Sequence, residues 1–257
     1  MVCALSTALS DTDCFNVLNA ASLDIVLPCY NPDPDWEKAV IHSFKAICNA
    51  LQDVAIRLLI VNDGSVLYAG KEAPEAISRA IPFFQWISYY PNKGKGAALR
   101  EGMRHSDADI TIYTDIDFPY QEASLVEIFE LLRHGKADVV AGVKDAGYYN
   151  GVPLGRRIIS RLLRGMTAIF LGIRITDTQC GLKGMNAKGR AVFLQTTIDR
   201  YLFDLEFIYL ASHTRDLQLR PHAIRLKEST RFTRMNAGIL LQESLNFVRI
   251  IIRRFAT

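Results

Sequence analysis

Two aspartates separated by one residue follow an apolar run near the middle of the 257-residue chain. The segment ITIYTDIDFPY, residues 110–120, places Asp115 and Asp117 directly after β-prone residues and before Pro119. In an extended segment, a spacing of two puts both side chains on the same face. Paired carboxylates hold Mg²⁺ or Mn²⁺ and leave coordination positions open for substrate phosphates. The pair predicts a metal and diphosphate site, although the same tripeptide also occurs in solvated turns.

Polar turn residues also end two earlier apolar segments. LDIVLPCYN (residues 23–31) and IRLLIVNDGS (residues 56–65) are separated by a segment with apolar residues at helical spacing. Strand, helix and strand form a right-handed parallel unit, whose ligands bind outside the carboxyl ends of the strands. We therefore expect Asp63 at the same edge as the aspartate pair. Its carboxylate either contacts a nucleoside or bonds the backbone of its own turn.

A glycine-rich basic loop, NKGKGAALREGMRHS, occupies residues 92–106. Gly94 and Gly96 alternate with Lys93 and Lys95 before a helix-forming segment. A helix N terminus presents free N–H groups and a partial positive charge to an anion. The segment matches neither a Walker A motif nor G-x-G-x-x-G. It predicts a phosphate-binding loop, with a plain glycine-rich turn as the alternative.

Composition and charge narrow the classes of partner. The chain is 49% hydrophobic and 22% charged, as is typical of a globular domain, and its net charge of +3 is too small to indicate a nucleic-acid partner. Basic residues gather in segments 156–174 and 220–254, which favours a phosphorylated or membrane-surface partner. The five cysteines form no C-x-x-C pair, which argues against zinc and predicts a reducing, cytosolic compartment.

The chain divides into three predicted parts. Residues 1–22 form an N-terminal extension without the features of a secretory signal, and residues 23–234 form one α/β domain. Residues 235–257 form a basic amphipathic helix, which lies on a membrane surface or packs its apolar face on the core. No apolar run reaches the length of about 18 residues that crosses a bilayer.

In this order and spacing, the segments IVLPCYN, IVNDGS, NKGKGAALREGM and YTDIDFPYQ resemble family 2 glycosyltransferases with the GT-A fold. Downstream, TDTQCGLKGM (residues 176–185) and FDLEFIYLA (residues 203–211) resemble the dolichyl-phosphate and polyprenyl-phosphate glucosyl- and mannosyltransferase branch. The resemblance covers roughly residues 23–232. It implies a Rossmann-like α/β domain with a mostly parallel central sheet flanked by helices.

The resemblance also implies roles for single residues on the donor side. The implied nucleotide-sugar contacts are Pro28, Tyr30, Asp63, Lys93, Gly96 and Asp115, and the implied metal ligands are Asp115 and Asp117. Pro32 stands where the family has Glu, so this nucleotide contact is either missing or supplied by Asp33. Pro119 stands where mannosyl members have a metal-binding Gln, which leaves the third protein ligand unassigned, with Gln121 as the nearest substitute.

On the acceptor side, the resemblance implies phosphate contacts from Arg156 or Arg157 and places the turn of Asp177 and Gln179 at the acceptor. Arg231 is a further cation that could bind an acceptor phosphate. The implied catalytic residues are Asp117, Arg157 and Glu206. Asp204 and Glu206 lie two positions apart on a helix, so we expect only one to point inward. From its position in the family pattern, we assign the inward position to Glu206, as a residue that orients substrate or acts as a base, and we expect Asp204 to complement the helix dipole.

The resemblance predicts an inverting, metal-dependent transferase that moves a hexose from a UDP- or GDP-sugar to a polyprenyl phosphate at the cytosolic face of a membrane. A saccharide hydroxyl acceptor, as in cell-surface polysaccharide synthesis, and a non-catalytic nucleotide-sugar-binding protein are the alternatives. The acceptor determines the chemistry required. A phosphate with a second pKa of about 6 is mostly ionised at neutral pH, so the site needs cationic side chains to bind it. A hydroxyl acceptor needs a general base instead.

Overall fold

The computed structural model describes residues 21–67, 72–144 and 177–227, together with Phe247 and Ile250. These residues form seven strands and six helices. The strands are β1 (Ser22–Cys29), β2 (Ala55–Asp63), β3 (Phe84–Tyr89), β4 (Ile110–Tyr113), β5 (Val139–Lys144), β6 (Lys183–Asn186) and β7 (Leu219–Ile224). The helices are α1 (Trp36–Ala50), α2 (Glu72–Ala80), α3 (Lys95–Arg104), α4 (Glu122–Arg133), α5 (Ala187–Phe193) and α6 (Phe203–His213).

All seven strands join one sheet in the order β3-β2-β1-β4-β6-β5-β7. Strand β6 runs antiparallel to both of its neighbours, and the other pairs are parallel. The predicted mostly parallel α/β sheet is therefore confirmed. Because β6 is reversed, it begins at the edge where β1 to β4 end, and Lys183 lies opposite Tyr113 in the register. The turn before β6 is thereby brought beside the aspartate pair.

Helices cover both faces of the sheet, because the side chains of each strand alternate between two cores. In β1, Ile25 belongs to the core that includes Phe129 of α4. The next residue, Val26, belongs to the core that includes Leu99 of α3 and Phe207 of α6. The three-layer arrangement fixes α3 and α6 on the same side of the sheet.

The described part of the C-terminal segment is limited to two positions. Phe247 and Ile250 are helical and buried in the core beside α3 and α6. Positions three apart on a helix share one face, so these two residues match the alternative in which an apolar face packs on the core. The rest of residues 235–257 and residues 1–20 lie outside the described residues. Among the described helices, none has the length and apolarity needed to cross a bilayer.

Candidate active site

The aspartate pair lies in a turn just beyond β4, at the carboxyl edge of the sheet. The strand ends at Tyr113, and the Asp115 carbonyl accepts a hydrogen bond from the Phe118 N–H at 3.0 Å. Phe118 has a φ of 45°, in the left-handed region. The predicted edge position is confirmed, but the same-face argument is wrong because Ile116 and Asp117 lie in a turn after the strand and not in an extended segment. The turn places the two carboxylates near each other.

The residues after the pair anchor this turn. The Pro119 carbonyl accepts a hydrogen bond from the Lys227 N–H at 2.9 Å, and Tyr120 forms a β-bridge with Leu226. Gln121, the suggested substitute ligand, is exposed and precedes the first residue of α4. Within the described residues, no three His, Cys, Asp or Glu side chains are grouped to hold a metal. The third protein ligand stays unassigned.

Lys95, the first residue of α3, pairs its ammonium group with the Asp115 carboxylate. Burial lowers the pKa of Lys95, but the carboxylates of Asp115 and Asp204 outweigh this effect and raise it above its ordinary value. Desolvation and repulsion by Asp115 raise the pKa of Asp117. Because the Asp117 side chain is exposed to solvent, screening by water makes this rise in the pKa of Asp117 smaller.

The donor set fits a hard divalent cation. Asp115 and Asp117 are two carboxylates whose mutual repulsion a cation would relieve, and Lys95 already supplies a positive charge there. The Asp115 side chain is 34% exposed, so a metal held by this pair would keep positions open for water and diphosphate oxygens, as Mg²⁺ prefers.

Asp63 organises the glycine-rich loop. Its carboxylate accepts hydrogen bonds from the Lys93 N–H at 2.7 Å, the Gly94 N–H at 2.8 Å and the Asn92 side-chain amide at 2.7 Å. The alternative in which Asp63 bonds its own turn is wrong, because Asn62 makes that bond, accepting from the Ser65 N–H at 3.0 Å. A nucleotide contact by Asp63 stays a prediction.

The N terminus of α3 is capped by the chain itself. The Asp199 carbonyl accepts from the Gly96 N–H at 2.7 Å and the Ala97 N–H at 3.3 Å. The prediction of free N–H groups for an anion is wrong at these positions, because a segment distant in sequence covers them. The close approach explains the glycine at position 96, where a Cβ would lie 2.5 Å from the Ile198 carbonyl oxygen. The backbone amides of Gly96 and Ala97 are therefore not available to a phosphate.

We call residues 196–199 the α3 strap. The Glu206 carboxylate accepts from the Thr197 N–H and the Ile198 N–H, each at 2.8 Å, and from the Thr197 hydroxyl at 2.9 Å. From the other side, Arg100 donates to the Ile198 carbonyl at 2.9 Å and pairs with Asp199. Glu206 thus holds the strap that caps the helix carrying Lys95.

Both acids of α6 are buried, which corrects the expectation that only one points inward. Asp204 is 4% exposed and Glu206 is 2% exposed. Asp204 accepts from the Lys183 ammonium at 2.6 Å and from the Tyr113 hydroxyl at 2.5 Å, so it is more than a dipole partner. The physical reason is that α6 is enclosed around most of its circumference.

The other predicted contacts with described positions lie at the same edge. Pro28 is near the end of β1, and Tyr30 after it is 53% exposed. The Lys93 ammonium lies 5.0 Å from the centroid of the Tyr89 ring. Asp177 and Gln179 belong to the turn before β6. The predicted acceptor arginines, Arg156, Arg157 and Arg231, lie outside the described residues.

Sequence reasoning missed Lys183, Arg100 and Asp199. Lys183 is fully buried at the start of β6, although a lysine between a leucine and a glycine carries no local signal of burial. Arg100 and Asp199 are 99 positions apart. Only the packing of α3 against the segment before α6 brings them together.

Comparisons with known proteins identify relatives of this chain. The family model described as glycosyl transferase family 2 matches residues 24–193. The glycosyltransferase AglD of Haloferax volcanii is 26% identical over 200 residues, which cover 74% of this chain and 30% of that protein. The dolichyl-phosphate β-glucosyltransferase of Saccharomyces cerevisiae is 28% identical over 214 residues, which cover 75% of this chain and 63% of the enzyme. The chain therefore spans only part of these relatives.

Solved structures share the fold at low sequence identity. Glucosyl-3-phosphoglycerate synthase from Mycobacterium tuberculosis, solved in complex with Mn²⁺, UDP and glucosyl-3-phosphoglycerate, has a TM-score of 0.66 at 15% identity. The match covers 93% of this chain and 81% of that one. Mannosyl-3-phosphoglycerate synthase from Rubrobacter xylanophilus has a TM-score of 0.64 at 14% identity, covering 92% and 74%. These matches support the fold, and because the family model spans more than half of its length, this chain belongs to glycosyltransferase family 2.

Proposed function

We propose that this protein is an inverting, metal-dependent glycosyltransferase that moves a hexose from a UDP- or GDP-sugar to a polyprenyl phosphate. The relatives named dolichyl-phosphate β-glucosyltransferase, from yeast and from Drosophila melanogaster, align with 75% and 80% of this chain. The Drosophila enzyme is 24% identical, and 67% of its length is covered. Their names supply the acceptor class for this proposal.

The observation that carries the choice of acceptor is the environment of Glu206. A saccharide hydroxyl needs a general base, and Glu206 is the residue that the resemblance offered for that role. Its carboxylate instead accepts three hydrogen bonds from the α3 strap. A phosphate acceptor is already ionised at neutral pH and needs no such base. The geometry therefore supports a lipid phosphate over a sugar hydroxyl.

On the donor side, Asp115 and Asp117 would hold Mg²⁺ or Mn²⁺. When bound, the metal would stabilise the negative charge that develops on the leaving diphosphate. Lys95 lies beside Asp115, where its ammonium group would add positive charge next to the same phosphates. The loop fixed by Asp63 would keep Lys93 and Lys95 oriented toward the nucleotide, with Pro28 and Tyr30 as further contacts.

The proposed place of action is the cytosolic face of a membrane, where a water-soluble donor meets a lipid-linked acceptor. The basic C-terminal residues 235–257 would add electrostatic attraction to anionic lipid. Co-sedimentation with vesicles that contain or lack anionic lipid tests this contact. Equal recovery with both vesicle types would contradict it.

The transfer itself is tested with purified protein, labelled UDP- and GDP-hexoses, Mn²⁺ or Mg²⁺, and polyprenyl phosphate in detergent. We expect label in the lipid extract with one donor, and none when the unphosphorylated polyprenol replaces the phosphate. Asp117→Asn is the inactive control. The proposal fails if no donor gives lipid-linked product, or if the polyprenol accepts sugar as well as the phosphate does.

A further inference from the structure

Lys183 is a buried cation for which the proposed reaction has no direct use. It is 0% exposed, and its ammonium nitrogen lies 2.6 Å from an Asp204 carboxylate oxygen and 2.5 Å from the Cys180 carbonyl oxygen. The same nitrogen lies 5.7 Å from the centroid of the Tyr113 ring. Burying two charges costs free energy that a well-packed apolar pair would not cost. Because this cost has to be offset, we examine which neighbouring groups the Lys183–Asp204 pair holds in place.

The contacts of Lys183 reach Asp115 by two routes. On one route, the Tyr113 hydroxyl donates to the same Asp204 oxygen at 2.5 Å, and Tyr113 is the last residue of β4, two positions before Asp115. On the other route, Lys183 holds the carbonyl of Cys180, the residue before Gly181.

Gly181 packs directly against the aspartate. A Cβ on Gly181 would lie 2.4 Å from an Asp115 carboxylate oxygen, so the glycine backbone forms one wall of the space that this carboxylate occupies. The Gly181 N–H also donates to the Tyr120 hydroxyl at 3.0 Å. The Cys180–Gly181 backbone is therefore fixed between Lys183 on one side and the end of the aspartate turn on the other.

We propose that Lys183, paired with Asp204, is a positioning residue for the metal site. It ties the end of β4 to the Cys180–Gly181 backbone, and the two together set the orientation of the Asp115 carboxylate. This inference rests on the proposed metal-binding role of Asp115 and Asp117. Groups that orient metal ligands from behind typically change metal affinity by about 10- to 100-fold when removed.

The test is the double variant Lys183→Met with Asp204→Asn. It removes both buried charges together, so that neither is left unpaired, and the amide oxygen introduced at position 204 can still accept from the Tyr113 hydroxyl. Mn²⁺ binding to the full chain with UDP is measured by titration calorimetry and by the electron paramagnetic resonance signal of free Mn²⁺. We expect the Kd for Mn²⁺ to rise by about 10- to 100-fold, with the donor KM unchanged at saturating Mn²⁺. A folded double variant with wild-type Mn²⁺ affinity overturns the inference.

A matched control lies at the opposite edge of the sheet. Arg57 pairs with the buried Asp24 at 2.7 Å, and Arg57→Met with Asp24→Asn should leave the Mn²⁺ affinity unchanged. If this control lost as much Mn²⁺ affinity as the Lys183 double variant, the loss would reflect a general loosening of the fold, and the inference would be overturned.

If the Lys183 double variant does not fold, Gly181→Ala decides. It should weaken Mn²⁺ binding because its methyl group displaces the Asp115 carboxylate, and wild-type affinity overturns the inference. Absence of Mn²⁺ binding in the wild type would instead refute the proposed function, and this inference with it.

Discussion

The substitution Glu206→Gln tests whether Glu206 acts as a general base or only anchors the α3 strap. The Glu206 oxygen that accepts from the Thr197 and Ile198 N–H groups can be replaced by the amide oxygen of Gln. The Gln NH₂ group can then donate to the Thr197 hydroxyl. In the wild type, this hydroxyl donates to Glu206. Every polar group keeps a partner, so we expect this variant to fold.

The expected loss of stability follows from the two backbone contacts. Hydrogen bonds to a charged acceptor contribute about 1.5–3 kcal/mol each and neutral ones about 0.5–1.5 kcal/mol, so Glu206→Gln should lower the free energy of unfolding by about 2 kcal/mol. Glu206→Ala leaves two N–H groups of the strap without this partner and should cost about 4 kcal/mol or more. Urea denaturation measures both values. Glu130→Gln, in a surface pair with Arg133, is the matched control and should change stability by less than about 0.5 kcal/mol.

Kinetics complete the test. We expect kcat of Glu206→Gln within about fivefold of wild type, against the loss of about 10²- to 10⁴-fold that follows removal of a general base. The pH dependence of kcat should keep its shape, because the anchor does not exchange a proton with substrate. Wild-type stability together with a loss of kcat beyond about 10²-fold would refute the structural role and favour a hydroxyl acceptor.

Three further substitutions test the site. Asp117→Asn should lower kcat by about 10²-fold or more. Because a raised pKa means that the ionised Asp117 is disfavoured by the fold, this variant should also unfold at slightly higher urea at neutral pH, and a lower midpoint would contradict this. For the same reason, protons should compete with Mn²⁺ at a higher pH than for an ordinary aspartate, which a titration of Mn²⁺ affinity against pH measures. Lys95→Met should lower kcat/KM for the donor by about 10- to 100-fold through loss of a charged contact to phosphate, and an unchanged value in steady-state assays would remove Lys95 from the site. Gly96→Ala should destabilise by about 1–3 kcal/mol by overpacking against the strap, and unchanged thermal unfolding would show that the strap moves freely.

Local patterns in the sequence were sufficient for the framework of the site. Apolar segments that end in turn residues predicted the strands before Asp63 and Asp115, and parallel alternation placed both residues at one edge of the sheet. Helical spacing predicted α1, with its buried Val40 and Phe44. These predictions succeeded because strand and helix periods, and the direction of a parallel unit, depend on neighbouring residues.

The tertiary structure alone decided what each polar side chain bonds. The amides of Gly96 and Ala97, which the sequence offered to a phosphate, are occupied by the carbonyl of Asp199. Glu206, which the family resemblance implied as a residue that orients substrate or acts as a base, holds the α3 strap. The residues next to Lys183 in the sequence do not indicate that it is buried. A buried charge is predicted only when its partner is known, and the partner, Asp204, lies on a helix in another part of the chain. A buried polar group bonds the partner that packing brings to it, and packing depends on contacts between distant segments.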